Sequence, residues 1–71
     1  SRNVRVFARD EATGSDNDIG ARLEELRTRK KVVKMNERTP ATLTLLPYRY
    51  TALLQKPGYQ DVLVQIRPGQ R

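Results

Sequence analysis

Cationic side chains are the residues of this sequence whose types and spacing are best suited to chemistry, and that chemistry is the binding of anions. Six of the fourteen lysines and arginines lie at positions 27–38, and Arg49 in the second half of the chain is a further candidate. An arginine guanidinium offers a planar fork of donors to a carboxylate or a phosphate. The candidate partner-binding residues are Arg27, Arg29, Lys30, Lys31, Lys34, Arg38 and Arg49.

This basic segment has three interpretations. It is typical of the solvated end of a helix, where cations face the negative end of the helix dipole and need no partner. It also suits contact with an acidic protein face or an anionic membrane surface. The third interpretation is nucleic acid, which additionally calls for aromatic rings beside the cations. The three tyrosines lie in the other half of the sequence, at positions 48, 50 and 59.

Catalytic groups are scarce. The chain has no cysteine and no histidine, and its two serines, Ser1 and Ser15, have no base near them in sequence. Disulfides, ordinary zinc, haem or iron–sulfur sites and triad-type catalysis are therefore excluded or disfavoured. The acidic stretch 16–18 does not fit a calcium loop, because aligning Gly20 with the invariant glycine puts Leu26 where glutamate is required. The sequence predicts a protein that is not an enzyme and has no cofactor, metal or small-molecule substrate.

Length and charge set broader bounds. With 71 residues, the chain forms one small domain over residues 1–71, which we expect to belong to a longer protein. Its stability must come from its core, a partner or neighbouring domains. The formal net charge of +6 favours acidic partners, although it is also ordinary for a soluble small domain. No signal or membrane-spanning segment is visible, and the bacterial envelope and the cytoplasm both stay open as compartments.

The first half of the chain predicts a strand, a loop and a helix. Residues 3–9 alternate between apolar and charged side chains, as in a half-buried strand. Residues 10–20 have the Gly, Ser, Asn and Asp composition of a loop. In residues 19–31, Ile19, Leu23 and Leu26 share one helical face, so we expect a short helix capped by Asp16 or Asp18. The alternative is a strand over 21–27, in which Leu23 and Leu26 would face opposite ways.

The second half predicts antiparallel β structure. Residues 32–35 form a short strand, and residues 36–40 form a turn because a proline excludes a helix there. Apolar and polar residues then alternate in three segments separated by a proline and by Lys56-Pro57-Gly58, with Pro68-Gly69 at the end. Three strands joined by tight turns predict a meander. The candidate core is Val4, Val6, Leu43, Leu45, Tyr50, Ala52, Leu54, Tyr59, Val62, Val64 and Ile66.

The turn and core markers of residues 39–69 resemble the PEGA domain and the wider group of transthyretin-like, carboxypeptidase-regulatory β-sandwich modules. The resemblance rests on Thr39-Pro40-Ala41-Thr42-Leu43, Leu45, Pro47-Tyr48-Arg49-Tyr50, Lys56-Pro57-Gly58-Tyr59 and Pro68-Gly69. It implies a non-catalytic accessory module of a bacterial or archaeal multidomain protein, and it carries no catalytic residues.

These observations predict a mainly β domain: a small antiparallel β-sandwich or meander of five to six strands, with one short helix inserted after the first strand. The expected function is that of a structural or protein-interaction accessory module of a larger protein. Its expected partners are another protein or neighbouring domains. The alternative is a basic nucleic-acid-binding α+β domain that uses the patch from Arg27 to Arg38.

Overall fold

The computed structural model describes residues 1–68, and these residues form six β-strands and no helix. The expectation of a mainly β domain of five to six strands is confirmed, whereas the inserted helix is wrong. Every strand pairing is antiparallel. In chain order the strands are β1 (Arg2–Val6), β2 (Arg22–Arg27), β3 (Val32–Arg38), β4 (Ala41–Leu45), β5 (Tyr50–Gln55) and β6 (Val62–Ile66).

The strands form a two-stranded sheet, β1–β4, and a four-stranded sheet in the order β3–β2–β5–β6. The β5–β6 hairpin has the predicted turn: the amide of Tyr59 donates to the carbonyl of Lys56 at 3.0 Å, and Gly58 has a φ of 85°. That conformation favours glycine. The three-strand meander is wrong at β4, which crosses to the other sheet and pairs with β1, so that Val4 lies opposite Leu43.

The segment predicted to be helical, residues 19–31, contains strand β2. A β-bulge removes the objection that Leu23 and Leu26 would face opposite sides. The register shifts between Leu23 and Glu25 in both pairings of β2, and Glu24 is the extra residue relative to β5. Leu23 and Leu26 therefore both enter the core, where they are 0% and 6% exposed. Burial of both leucines and strand pairing on both sides of β2 stabilise the strand by more than the local helical preference of these residues would stabilise a helix.

Strand β3 runs through residue 38 and is therefore longer than the predicted strand over 32–35. It lies at the edge of the four-stranded sheet, and most of its side chains are exposed. The turn after it contains a cis peptide bond between Thr39 and Pro40. At the other end of the chain, Pro68 is buried, and the predicted turn residue Gly69 lies outside the described residues.

The core lies between the two sheets. Two predicted members are wrong: Tyr59, which follows a turn, is 43% exposed, and Val62, on an edge strand, is 49% exposed. Val4 and Val64 are partly buried against the core. The alternation of apolar and polar residues thus predicted which faces turn inward, and the sheet edges decided how far each side chain is covered. The buried cluster consists of Val6, Leu23, Leu26, Leu43, Leu45, Tyr50, Ala52, Leu54 and Ile66.

Candidate functional site

The tip of the β2–β3 hairpin presents two cations to solvent. The amide of Thr28 donates to the carbonyl of Lys31 at 2.8 Å, and the amide of Lys31 donates to the hydroxyl of Thr28 at 3.2 Å. These bonds close a tight turn over residues 28–31. Arg29 and Lys30 occupy its central positions, and both are exposed. The turn therefore fixes their backbone while their side chains extend into solvent.

The connection between β4 and β5 supplies an aromatic ring and a third cation. The amide of Tyr48 donates to the carbonyl of Leu46 at 2.7 Å, which holds this short connection in a bend. The Tyr48 side chain is 56% exposed, and its ring lies 6.4 Å from that of buried Tyr50, centroid to centroid. Arg49, between the two tyrosines, is exposed. Tyr50 therefore supports Tyr48 from the core side while the outer part of the ring stays open.

Strand register brings these two segments together. In the β2–β5 pairing Arg27 lies opposite Thr51. The hairpin tip follows Arg27 and the β4–β5 connection precedes Thr51, so both segments lie at the same end of the sheet. Between them lies a cavity of about 630 Å³, lined by Thr28, Arg29, Lys30, Tyr48 and Arg49. We call Arg29, Lys30, Tyr48 and Arg49 the basic end.

Two of the other predicted cations contact a buried carboxylate. Glu25 is 6% exposed. The Nη2 atom of Arg27 lies 3.3 Å from each of its two oxygens, and the Nζ atom of Lys34 lies 3.6 Å from Oε1. The charges of Arg27 and Lys34 are thus balanced in part within the domain. By contrast, no carboxylate of residues 1–68 lies within ion-pair distance of the cations of the basic end.

The remaining two predicted cations lie outside the basic end. Arg38 pairs with Arg22 at the far end of β2, and its Nη1 atom donates to the carbonyl of Gly20 at 3.2 Å. Lys31 completes the hairpin turn, and its side chain is not among those that line the cavity. The structure therefore brings Arg29, Lys30 and Arg49 together and separates them from Arg38 by the length of a strand.

Sequence reasoning did not assign two residues of this region. The sequence groups Tyr48 with the other two tyrosines of the second half, although its place between a proline and an arginine is typical of an exposed ring. Arg67 lines a second cavity of about 430 Å³, together with Arg49. Their proximity follows from the β5–β6 register, which puts Ile66 opposite Tyr50. No spacing in the sequence connects positions 49 and 67, so this neighbour was not predictable.

The basic end is equipped for binding. Its donors are two guanidinium groups and one ammonium group, which form strong hydrogen bonds with carboxylates and phosphates. The exposed face of Tyr48 can pack on a planar group or an aliphatic chain of a partner. Within residues 1–68, no three acidic side chains converge in a way that could hold a metal ion. The chemistry offered at this end is recognition of a negatively charged group.

The acidic loop at the other end of the sheet has a structural role. Asp18, a candidate helix cap in the sequence, accepts hydrogen bonds from the amides of Ala8 at 2.8 Å and Gly20 at 2.6 Å, and from the Thr39 hydroxyl at 2.8 Å. Partial burial raises the pKa of Asp18, but these hydrogen bonds and the charge of Lys56 outweigh burial. The pKa of Asp18 therefore lies below its ordinary value.

A second carboxylate of this loop is held by a tyrosine. The Tyr59 hydroxyl donates to Asp10 Oδ2 at 2.9 Å. This bond, with one from the amide of Ala12, lowers the pKa of Asp10. The same bond and the negative charge of Asp10 raise the pKa of Tyr59. Lys56 donates to the carbonyl of Ile19 and adds a further tie between the loop and the β5–β6 turn. These side chains therefore hold the loop against the sheets.

Comparisons with known proteins give no relative from which a role for this site could be inferred, so its geometry is the basis for the proposed role. No protein-family model matches the sequence, and searches of curated proteins and of solved structures gave no match. Residues 1–68 include no helix with the length and apolar character needed to cross a membrane. The distinguishing feature is the meeting of three cations and an exposed tyrosine around one cavity.

Proposed function

We propose that the chain is a non-catalytic protein-interaction module of a larger protein, and that it binds an acidic segment of its partner at the basic end. The cavity of about 630 Å³ between the hairpin tip and the β4–β5 connection carries the proposal. Arg29, Lys30 and Arg49 line it together, and no carboxylate of residues 1–68 lies within ion-pair distance of them, so an anionic partner would supply the missing opposite charge. The partner is another protein or a neighbouring domain of the same chain.

The layout favours a short acidic peptide segment over nucleic acid. A single-stranded nucleic acid is bound along a groove that offers successive cations and successive aromatic platforms. Here the cations occupy one end of the domain, and Tyr48 is the exposed ring beside them, since Tyr50 is buried. The patch from Arg27 to Arg38 also does not form a continuous basic track, because Lys34 contacts Glu25. Nucleic acid is therefore the rival outcome of the test below.

The PEGA-like pattern of turn and core markers in residues 39–69 supports the same class of function. Modules of that kind are accessory interaction domains without catalytic residues. On this proposal the basic end carries the specificity, and the positions that match the PEGA-like pattern shape the domain: Pro40, Leu43, Tyr50, Gly58 and Tyr59. An anionic membrane surface is a poorer fit, because a flat surface would select cations spread over one broad face instead of three around a cavity.

The test is a binding titration of the 71-residue chain with two labelled probes, followed by fluorescence anisotropy. One probe is a peptide of alternating glutamate and serine, and the other is an oligothymidylate of similar charge. We expect the peptide to bind more tightly than the oligonucleotide. Arg49→Glu should weaken peptide binding by roughly tenfold, because it places a negative charge where the acidic segment binds.

Arg38→Glu is the matched control, because it changes the net charge equally at the far end of the sheet. We expect it to weaken peptide binding by less than about twofold at physiological salt. Equal losses from Arg38→Glu and Arg49→Glu, or no binding of the peptide, would contradict the proposal. Tighter binding of the oligonucleotide, with a steep dependence on salt, would replace it with nucleic-acid binding.

A further inference from the structure

Strand β6 has an open edge of unusual composition. It ends the four-stranded sheet, and no strand among residues 1–68 pairs with its outer side. Its five residues, Val62–Ile66, include no charged side chain. Val62 is 49% exposed and Leu63 is 68% exposed. An uncharged edge with exposed aliphatic side chains has the properties of a surface that accepts another strand.

The other open edges of the described strands are protected. Strand β3, across the sheet, carries Lys34, Glu37 and Arg38. Strand β1 carries Arg2 and Arg5. Strand β4 has no charge, but its exposed side chains are threonines. Pro40 directly precedes this strand, and Pro47 follows shortly after it. Charges and prolines are the usual protection against edge pairing. Strands β4 and β6 both lack them within the strand, but of these two only β6 exposes aliphatic side chains.

The residues on either side of β6 make its edge complementary to itself. Asp61 precedes the strand and Arg67 follows it, and both are exposed. In an antiparallel pair of β6 strands centred on Val64, Asp61 of each copy lies opposite Arg67 of the other. We infer that β6 is a dimerisation edge and that a second copy of this chain is the strand it accepts. The two ion pairs select this register over shifted ones.

The same register matches the side chains. Val62 of one copy lies opposite Ile66 of the other, and Leu63 lies opposite Gln65. Leu63 lies on the same face of the sheet as its β5 neighbour Leu53. In this register the corresponding faces of the two copies' sheets therefore form one continuous surface. The added strand covers the exposed flanks of Val62 and Leu63, which lose contact with water.

No strand among residues 1–68 pairs with the outer side of β6. A groove of about 450 Å³ lies between β1 and β6, and it is lined by residues of these two strands and by those that directly follow them. Strand β1 pairs with β4 and makes no strand pairing with β6. A contact of five residues per copy is small compared with a standard protein interface, so we expect weak association that depends on concentration.

The experiment is sedimentation velocity of the 71-residue chain over a range of concentrations, with charge-reversal variants. The wild-type chain should self-associate at submillimolar concentration. Asp61→Arg puts two arginines opposite each other at both ends of the dimer, and Arg67→Asp does the same with two aspartates. Each variant alone should associate at least about fivefold more weakly than the wild type.

The decisive measurement is the self-association of an equimolar mixture of the two variants. In the mixed dimer each arginine again lies opposite an aspartate, so association should return to the wild-type level, as it should in the double variant Asp61→Arg/Arg67→Asp. Circular dichroism of each variant checks that it folds. A wild-type chain that stays monomeric, single variants that associate like the wild type, or a mixture that does not recover would each overturn the inference.

The inference does not depend on the proposed function. Arg67 lines the second cavity as well as flanking β6, so the test of the basic end uses Arg49, which lies outside β6. Loss of peptide binding with intact self-association would separate the two surfaces, and so would the reverse.

Discussion

The Thr39 hydroxyl donates a hydrogen bond of 2.8 Å to Oδ1 of Asp18, a residue 21 positions earlier in the chain. The same hydroxyl accepts a hydrogen bond of 2.8 Å from the amide of Ala21, and the amide of Thr39 donates to the carbonyl of Ala21 at 2.8 Å. Thr39 is 5% exposed. Asp18 and Thr39 therefore join the acidic loop to the turn between β3 and β4, where the chain passes from one sheet to the other. The bonds between Thr39 and Ala21 add the residue that precedes β2.

The first prediction concerns Asp18→Ala. The substitution leaves two amides and the Thr39 hydroxyl without their acceptor, so we expect the free energy of unfolding to fall by about 2 kcal/mol. Urea denaturation followed by circular dichroism measures the change. Asp16→Ala is the control, because that residue is exposed in the same loop, and it should change stability by less than about 0.5 kcal/mol. Equal effects of the two substitutions would show that the Asp18 hydrogen bonds contribute little.

The second prediction concerns pH. Folding lowers the pKa of Asp18 below its ordinary value of 3.8. The stability that its ionised form contributes is therefore fully present above the unfolded-state pKa, and it is lost as the pH falls through the lower pKa of the folded state. The difference in unfolding free energy between wild type and Asp18→Asn should shrink as the pH drops below about 4. A difference that stays constant into strong acid would contradict this.

The third prediction tests the bulge in β2. Deleting one of the two adjacent residues Glu24 and Glu25 leaves Leu-Glu-Leu, which alternates as a regular strand opposite β5. We expect this variant to fold cooperatively and to lose less than about 2 kcal/mol, because both leucines still face the core. Deletion of Leu53 is the control: β5 has no extra residue there, so one side of that strand must turn its apolar residues outward. That variant should show no cooperative unfolding transition.

The fourth prediction concerns the ionisation of Tyr59. Its hydrogen bond to Asp10 and the negative charge of that carboxylate raise its pKa above 10.0. Asp10→Asn removes the charge while keeping an oxygen acceptor, so the pKa of Tyr59 should fall towards 10.0. An alkaline titration followed by NMR of the tyrosine ring carbons measures it. Glu11→Gln, which neutralises the adjacent acid, should leave the pKa of Tyr59 in place, and an equal shift would point to general charge effects.

Much of the fold was predictable because its signals are local. The alternation in residues 41–66 indicated strands β4, β5 and β6, and Lys56-Pro57-Gly58 indicated the hairpin turn, since proline presets φ and glycine accepts the positive φ that follows. The absence of cysteine and histidine also limited the chemistry without any knowledge of the fold. The mainly β class followed from these features alone.

The errors came where long-range contacts outweigh local preference. Leu23 and Leu26 have helical spacing, and only pairing with β3 and β5 creates the bulge that turns both inward. Strand β4 pairs with β1 and not with its sequence neighbour β5. The exposure of Val62 likewise depends on the place of β6 at the sheet edge.

For the candidate site, the sequence by itself determined the chemistry: a surplus of arginine and lysine, suited to an anionic partner, with few catalytic groups. Only the tertiary structure decided which cations lie together. The β2–β5 register places Arg29 and Lys30 beside Tyr48 and Arg49, while Lys34 contacts Glu25 and Arg38 lies at the far end. The physical reason is that each residue type can be read from the sequence alone, whereas residues far apart in the sequence come close only when the strands pair.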